Sequence, residues 1–283
     1  MLIGVLSGIS LAVAVLTCLA LGGFAGIGWI WILPLGFAGT FLALAALWYA
    51  MLLIMANAVD MSKQQQKDSL FYRNVIDLTI GALVKILRIR IRTQGTEQIP
   101  KSGRFLLVCN HLHEADPVVL LRVFRKHQLA FVSKKENDAR FLIGPFLRKI
   151  LCQPIDREND REALKTILNC IRLLKEDTVS IAVFPEGYVS LDRLLHPFRG
   201  GVFKIAQKAN VPIVVCTLRN TYDIYANIKK RKAMEVEVHV AGVIDADALK
   251  GRTALDIAQE AHEIMARDLG ADLVLSAENI ENT

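Results

Sequence analysis

No Asp, Glu, Lys or Arg occurs before Asp60, although the 283-residue chain carries 34 basic and 28 acidic side chains. So long a charge-free stretch cannot make an ordinary water-facing surface. Residues 2–21 form one apolar run and 35–57 another. Each is long enough to cross a hydrocarbon core of about 30 Å as a helix. Between them Gly22, Gly23, Gly26, Gly28 and Pro34 punctuate a turn, and Trp29 and Trp31 suit a membrane interface. The pattern predicts a transmembrane helical hairpin over 1–60. A single span with a re-entrant or interfacial segment is the other geometry these lengths allow. A cleaved signal peptide fits less well, because no Lys or Arg precedes the first run and the second would still anchor the chain.

Lys63, Lys67 and Arg73 follow the second run. The positive-inside rule then predicts an integral protein of the cell membrane with its charged part on the cytoplasmic side. The five cysteines, Cys18, Cys109, Cys152, Cys170 and Cys216, are odd in number and lack disulfide or metal spacing, which fits a reduced compartment.

The charged remainder has the size of one domain. Asp68 to Leu87 is apolar with Arg73, Asp77 and Lys85 interspersed, as in an amphipathic helix lying on a bilayer or an ordinary helix packed on a domain. Ile89 and Ile91 alternate with Arg88, Arg90 and Arg92, giving a strand whose basic face either meets lipid phosphate or protects an edge. These pieces make 61–95 an interfacial helix with a lead-in strand. Residues 96–275 read as one α/β domain, and 276–283 as a polar tail. Apolar strands at Phe105–Val108, Leu129–Ser133, Ser180–Phe184, Val211–Val215 and Glu235–Ile244 alternate with helical patterns. Two of the helices open on capping signals, Asn159 with Glu162 and Thr253 with Asp256. The expected fold is a mixed, largely parallel sheet flanked by helices.

The chemistry gathers where the first buried strand turns into a helix, at Asn110-His111-Leu112-His113-Glu114-Ala115-Asp116-Pro117. Ligands of open α/β sheets bind at the carboxyl ends of strands. An imidazole takes a proton near neutral pH, and a carboxylate beside it fixes its tautomer. His111 and Asp116 lie close enough for one tight turn to join them, and no Ser or Cys nucleophile stands beside them. A substrate hydroxyl would then be the nucleophile. Plainer readings remain open: Asp116 before Pro117 fits an N-cap, one of His111 and His113 could be a half-buried strand histidine, and His-x-His is also a metal-ligand spacing. The other histidines, His127, His196, His239 and His262, are scattered.

Asn110-His111-x-x-x-x-Asp116-Pro117 resembles the first motif of the glycerolipid acyltransferases, the family of 1-acylglycerol-3-phosphate acyltransferases and relatives. Three further stretches resemble later motifs in the right order. Ile155-Asp156-Arg157 is similar to the second, Phe184-Pro185-Glu186-Gly187 with Ser190 to the third, and Val211-Pro212-Ile213 to the fourth, which belongs to the acyl side. Lys134 and Lys135 stand where the family often has basic residues. The likeness spans roughly residues 85 to 220. It departs at Tyr188 and Val189, where the family often has Thr and Arg, and that arginine is often assigned to the acceptor phosphate. Arg193, Arg199 or the basic strand are the candidates to replace it.

The resemblance implies acyl transfer from acyl-CoA or acyl-acyl carrier protein to the free hydroxyl of a lysophospholipid, most simply 1-acylglycerol-3-phosphate, giving phosphatidic acid. His111 would be the base and Asp116 its orienting partner. Arg157, in the second motif, would reach the acceptor phosphate, Glu186 would bind a glycerol hydroxyl or help shape the site, and Asn110, Pro185, Gly187 and Ser190 would complete the acceptor site, with no metal or other cofactor. Two other classes compete with this reading: a lipid-binding membrane protein without activity, and a hydrolase using the same pair on water. The basic block Lys229-Lys230-Arg231-Lys232 beside Tyr225 would suit nucleic acid, but membrane anchoring favours anionic lipid or an acidic acyl donor, and a solvated loop is the plainest account.

Overall fold

The computed structural model describes residues 1–275 except Ala25, Gln64 and Arg231. The polar tail, and Arg231 of the basic block, therefore lie outside the described residues.

The chain opens with two apolar helices, α1 (Leu2–Ala20) and α2 (Trp29–Asn57), packed side by side. Ser10, Ala14 and Cys18, four residues apart, form the buried face of α1. Gly36 of α2 meets Ala14, and a Cβ added there would stand 3.5 Å from the Ala14 Cα. Small residues let the two backbones approach, as in membrane helix pairs. Both helices are long and apolar enough to cross a membrane. The second run was expected to begin after a turn containing Pro34; instead α2 begins at Trp29 and encloses that proline. Pro34 sits early in the helix, where few backbone bonds are disturbed, and apolar helices in lipid tolerate such breaks. Trp29 and Trp31 accordingly belong to the first helical turn.

The inner end of α2 is docked on the domain. Leu52, Met55 and Ala56 cluster with Val75 and Phe146. Trp48 Nε1 donates to Thr79 Oγ1 at 3.3 Å, and the Tyr72 hydroxyl donates to the Met55 carbonyl at 3.0 Å. Both partners lie on α3 (Leu70–Ile86), whose N-cap Ser69 accepts from the Tyr72 amide. Arg73 fastens α3 to the sheet region through Asp68 at 2.7 Å and the carbonyls of Leu129 and Ile150 at 2.8 and 3.0 Å. Both readings of this helix have a physical basis. Val75 and Ile80 are buried on the domain, while Leu70, Phe71, Leu83 and Ile86 stay exposed.

Seven strands form the sheet: β1 (Ile89–Gln94), β2 (Leu106–Cys109), β3 (Leu129–Lys134), β4 (Gln153–Ile155), β5 (Ser180–Val183), β6 (Ile213–Arg219) and β7 (Met234–Ile244). Their order is β1-β7-β6-β2-β5-β3-β4, and only β6 with β7 is antiparallel. The mixed, largely parallel α/β sheet expected from the sequence is what forms. β2 and β5 are buried at every residue, as strands covered on both faces must be. The basic strand pairs with β7 along its whole length, so it is an edge of this sheet rather than a separate lead-in. It was also a candidate for lipid phosphate. It lies three strands from β2, roughly 14 Å at ordinary strand spacing, and Arg92 is paired with Glu235 at 2.7 Å. The helix Asp160–Lys175 starts at Asn159, whose side chain accepts from the Glu162 amide, and Ala254–Leu269 starts in the Thr253–Asp256 capping box. The strand ends that carry the motifs, β2, β5 and β4, are parallel neighbours or near neighbours, so their following loops emerge on one edge of the domain.

Candidate active site

β2 ends at Cys109, and the loop that follows turns back on itself before α4 (Asp116–Val123). The turn is built by one oxygen. Asp116 Oδ2 accepts the Leu112 amide at 2.7 Å, the His113 amide at 2.8 Å and His111 Nδ1 at 2.9 Å. The N-cap reading of Asp116 is therefore corrected: Ala115 is the N-cap, and the Asp116 side chain reaches back to the loop. Two backbone N–H groups aimed at Oδ2 make it an acceptor, so Nδ1 of His111 must be the donor. Nε2 is left with its lone pair, the atom that can take a proton.

The imidazole is held on a second side by stacking. The rings of His111 and Phe184 lie parallel at 4.0 Å between centroids. Its side chain is 15% exposed, enough for a substrate hydroxyl to reach, while the Asp116 side chain is fully enclosed. The backbone of His111 is gripped by the loop after β5. Its N–H donates to Glu186 Oε1 at 2.8 Å, and its carbonyl accepts the Ser190 amide at 2.8 Å. Glu186 Oε2 accepts the Ser190 hydroxyl at 2.5 Å and the His196 amide at 3.1 Å. Asn110 closes the other side, exchanging two hydrogen bonds with the backbone of Leu218 on β6 at 2.7 and 3.0 Å.

The residues expected to contact the acceptor thus divide. Arg157 is exposed, whereas Asn110, Pro185, Glu186, Gly187 and Ser190 are buried. Asn110, Glu186 and Ser190 brace the histidine loop, with all their polar atoms facing protein partners. Of the two roles open to Glu186, shaping the site is the one its position allows, because at 1% exposure it has no open face for a glycerol hydroxyl. The strand-alternation reading of His111 and His113 also fails, since both lie in the loop past β2. His113 is a buried histidine whose Nδ1 accepts the Ala115 amide and whose ring meets Tyr225 edge-on. Among the described residues no three metal-ligating side chains converge. Phe184 was counted only as the end of an apolar strand. Its position immediately before Pro-Glu-Gly was the one available signal for its stacking role.

Glu186 gives a first testable consequence. Burial pushes its carboxyl above the ordinary value of 4.5, against the opposing pull of Ser190 and the His111 and His196 amides. Between 4.5 and the raised value the folded chain binds more protons than the unfolded one. This group's contribution to stability therefore falls as pH rises through that window. Glu186→Gln cannot titrate, so it should flatten that part of the melting-temperature profile. At neutral pH its NH2 must oppose a backbone N–H, costing about 1–3 kcal/mol. Thermal unfolding of both proteins across pH checks this; identical slopes would remove Glu186 as the source.

Comparison with known proteins bears on what this arrangement belongs to. Residues 90–219 match the family model described as Acyltransferase, the span that contains every motif above.

Over this span the chain is similar to the acyltransferase family.

Its relatives include proteins named as 1-acyl-sn-glycerol-3-phosphate acyltransferases. That of Bacillus subtilis is 32% identical over 136 residues, covering 47% of this chain and 66% of the relative. That of Borreliella burgdorferi is 28% identical over 162 residues, covering 56% and 62%. The chain thus spans less than two thirds of the length of these two curated relatives. The crystal structure of the 1-acyl-sn-glycerophosphate acyltransferase PlsC from Thermotoga maritima superposes with a TM-score of 0.57 over 84% of this chain and 90% of that one. At 18% identity it shows a shared fold. The chain keeps the His-x-x-x-x-Asp and Pro-Glu-Gly elements and departs at Tyr188 and Val189.

Proposed function

We propose that this chain is a membrane-bound O-acyltransferase. In this reading it moves an acyl group from a thioester, acyl-CoA or acyl-acyl carrier protein, to the free hydroxyl of 1-acylglycerol-3-phosphate, yielding phosphatidic acid. The observation that carries the reading is the oriented imidazole: Nδ1 bound to Asp116 and, among the described residues, no Ser or Cys side chain hydrogen-bonded to the ring. Such a base needs an alcohol from outside. Nε2 removes the hydroxyl proton as the oxygen attacks the thioester carbonyl. The tetrahedral intermediate then expels the thiolate, and the imidazolium returns the proton to the departing sulfur. Asp116 steadies the imidazolium between the two steps. No metal or redox cofactor enters this sequence.

The apolar hairpin suits the substrates, since acceptor and product are lipids and the donor is water-borne. With α1 and α2 in the bilayer, Lys63 and Lys67 orient the domain to the cytoplasm. All five cysteines are unpaired and buried, in keeping with a reducing compartment.

The test is a panel of lysolipids crossed with both donor types, using the full chain in detergent and following thiol release and labelled product. Transfer to lysophosphatidic acid supports the reading. Transfer confined to another lysolipid would revise the acceptor. Release of free fatty acid without transfer would indicate a hydrolase, and no thioester cleavage with any acceptor would overturn the enzymatic reading.

A further inference from the structure

The third motif lacks its arginine, and three candidates to replace it are separated by the structure. The basic strand is at the far edge of the sheet. Arg193 lies over the Tyr222 ring at 3.9 Å, its cation already engaged. Arg199 is different. Its amide donates to the Pro185 carbonyl at 2.9 Å, which pins it beside the Pro-Glu-Gly turn. Its side chain crosses directly over Gly187, where an added Cβ would stand 2.9 Å from the Arg199 Nε. On the same glycine, Arg157 Nη1 donates to the Gly187 carbonyl. Two guanidinium groups from distant parts of the chain therefore meet at one residue. Both arginines are exposed, and among the described residues neither has a carboxylate within 4.0 Å.

That arrangement is unfavourable as it stands. Burial and the Arg199 charge hold the Arg157 guanidinium below its ordinary value. Gly187 itself has φ +88°, a backbone region that favours glycine, and with no side chain it leaves the space Arg199 occupies. Paired guanidinium forks with no carboxylate partner are suited to binding phosphate oxygens. The neighbour of Gly187 is Glu186, which holds the His111 amide, so the two cations sit one residue from the support of the base.

We propose that Arg199 joins Arg157 in a two-guanidinium clamp for the phosphate monoester of the lipid acceptor, replacing the arginine absent at Val189. This rests on the acyltransferase reading and names how its acceptor is recognised. The acceptor fits better than the donor. In a 1-acylglycerol-3-phosphate only two carbons and an ester oxygen separate the reacting hydroxyl from phosphorus, whereas the phosphates of acyl-CoA lie a full pantetheine arm from the thioester.

The experiment measures KM and kcat of the full chain in mixed micelles for Arg199→Ala, Arg199→Lys and Arg157→Ala, varying lysophosphatidic acid and acyl-CoA in turn. Arg199→Ala should raise the KM for lysophosphatidic acid roughly 10- to 100-fold, as expected for loss of hydrogen bonds to a charged group. Its kcat and its KM for acyl-CoA should change much less. Arg199→Lys should recover part of the loss, because charge returns without the fork. An unmoved acceptor KM overturns the proposal, as does a fall in kcat alone. A rise in the acyl-CoA KM instead would assign the clamp to the donor and overturn it too. Direct binding of lysophosphatidic acid in the same micelles gives a readout that needs no turnover. If the parent chain transfers nothing, the acyltransferase reading fails while this arm still decides: weaker binding by Arg199→Ala keeps the clamp, equal binding removes it.

Discussion

Replacing His111 with alanine should reduce acyl transfer by about two to four orders of magnitude while leaving the folded state intact. General bases contribute on the order of 10²- to 10⁴-fold. His113, the nearest imidazole, is buried with Nδ1 already accepting an amide. The loop itself does not rest on the imidazole. It is held by Asp116 through the amides of residues 112 and 113, by Glu186 through the amide of residue 111, and by Asn110 through Leu218. Circular dichroism and melting temperature should therefore stay close to those of the parent protein while turnover is lost. Near-parental kcat in His111→Ala would show that another group takes the proton.

Asp116→Asn should do nearly as much damage and also loosen the fold. One oxygen of Asp116 receives three donors in a site closed to solvent. An amide of the same shape can keep its oxygen toward the two backbone N–H groups. It then no longer favours Nδ1 protonation strongly, nor does it compensate an imidazolium. In the comparable serine-protease change kcat falls about 10⁴-fold. If the amide instead flips, its NH2 opposes two buried N–H donors, at a cost of about 1–3 kcal/mol each. A large drop in kcat with a lowered melting temperature is expected. Full activity in Asp116→Asn would mean that the pair observed at 2.9 Å does not orient the base.

Much of this architecture was legible because the signals are local. Phe105–Val108 and Ser180–Phe184 read as buried strands from their apolar runs, and they match the two strands at the heart of the sheet. Thr253 with Asp256 names a helix start from two residues, and the capping box is there. What escaped depends on long-range geometry. Pro34 looks like a breaker in any window, yet α2 runs through it. Asp116-Pro117 has the local form of an N-cap, but the carboxylate finds better partners in the amides before it. Glu186 looked like a ligand contact or a shaper of the site, and only the packing of β5 beside β2 reveals it as the brace of another loop. Arg199 could not be chosen over Arg193 until the chain was folded, since the deciding neighbours, Gly187 and Tyr222, lie on different segments.

The docking of Trp48 and Met55 onto Thr79 and Tyr72 has one more consequence. A protein moored by a slack cable can bob and tilt over a lipid surface; one welded to its mast cannot. With the second helix upright in a bilayer, the elevation of the reacting imidazole above the acyl chains is preset at folding. If the chain acylates a lipid from a bilayer, as proposed, selectivity for where on that lipid the hydroxyl sits becomes partly a matter of altitude, set by how deep the mast is sunk.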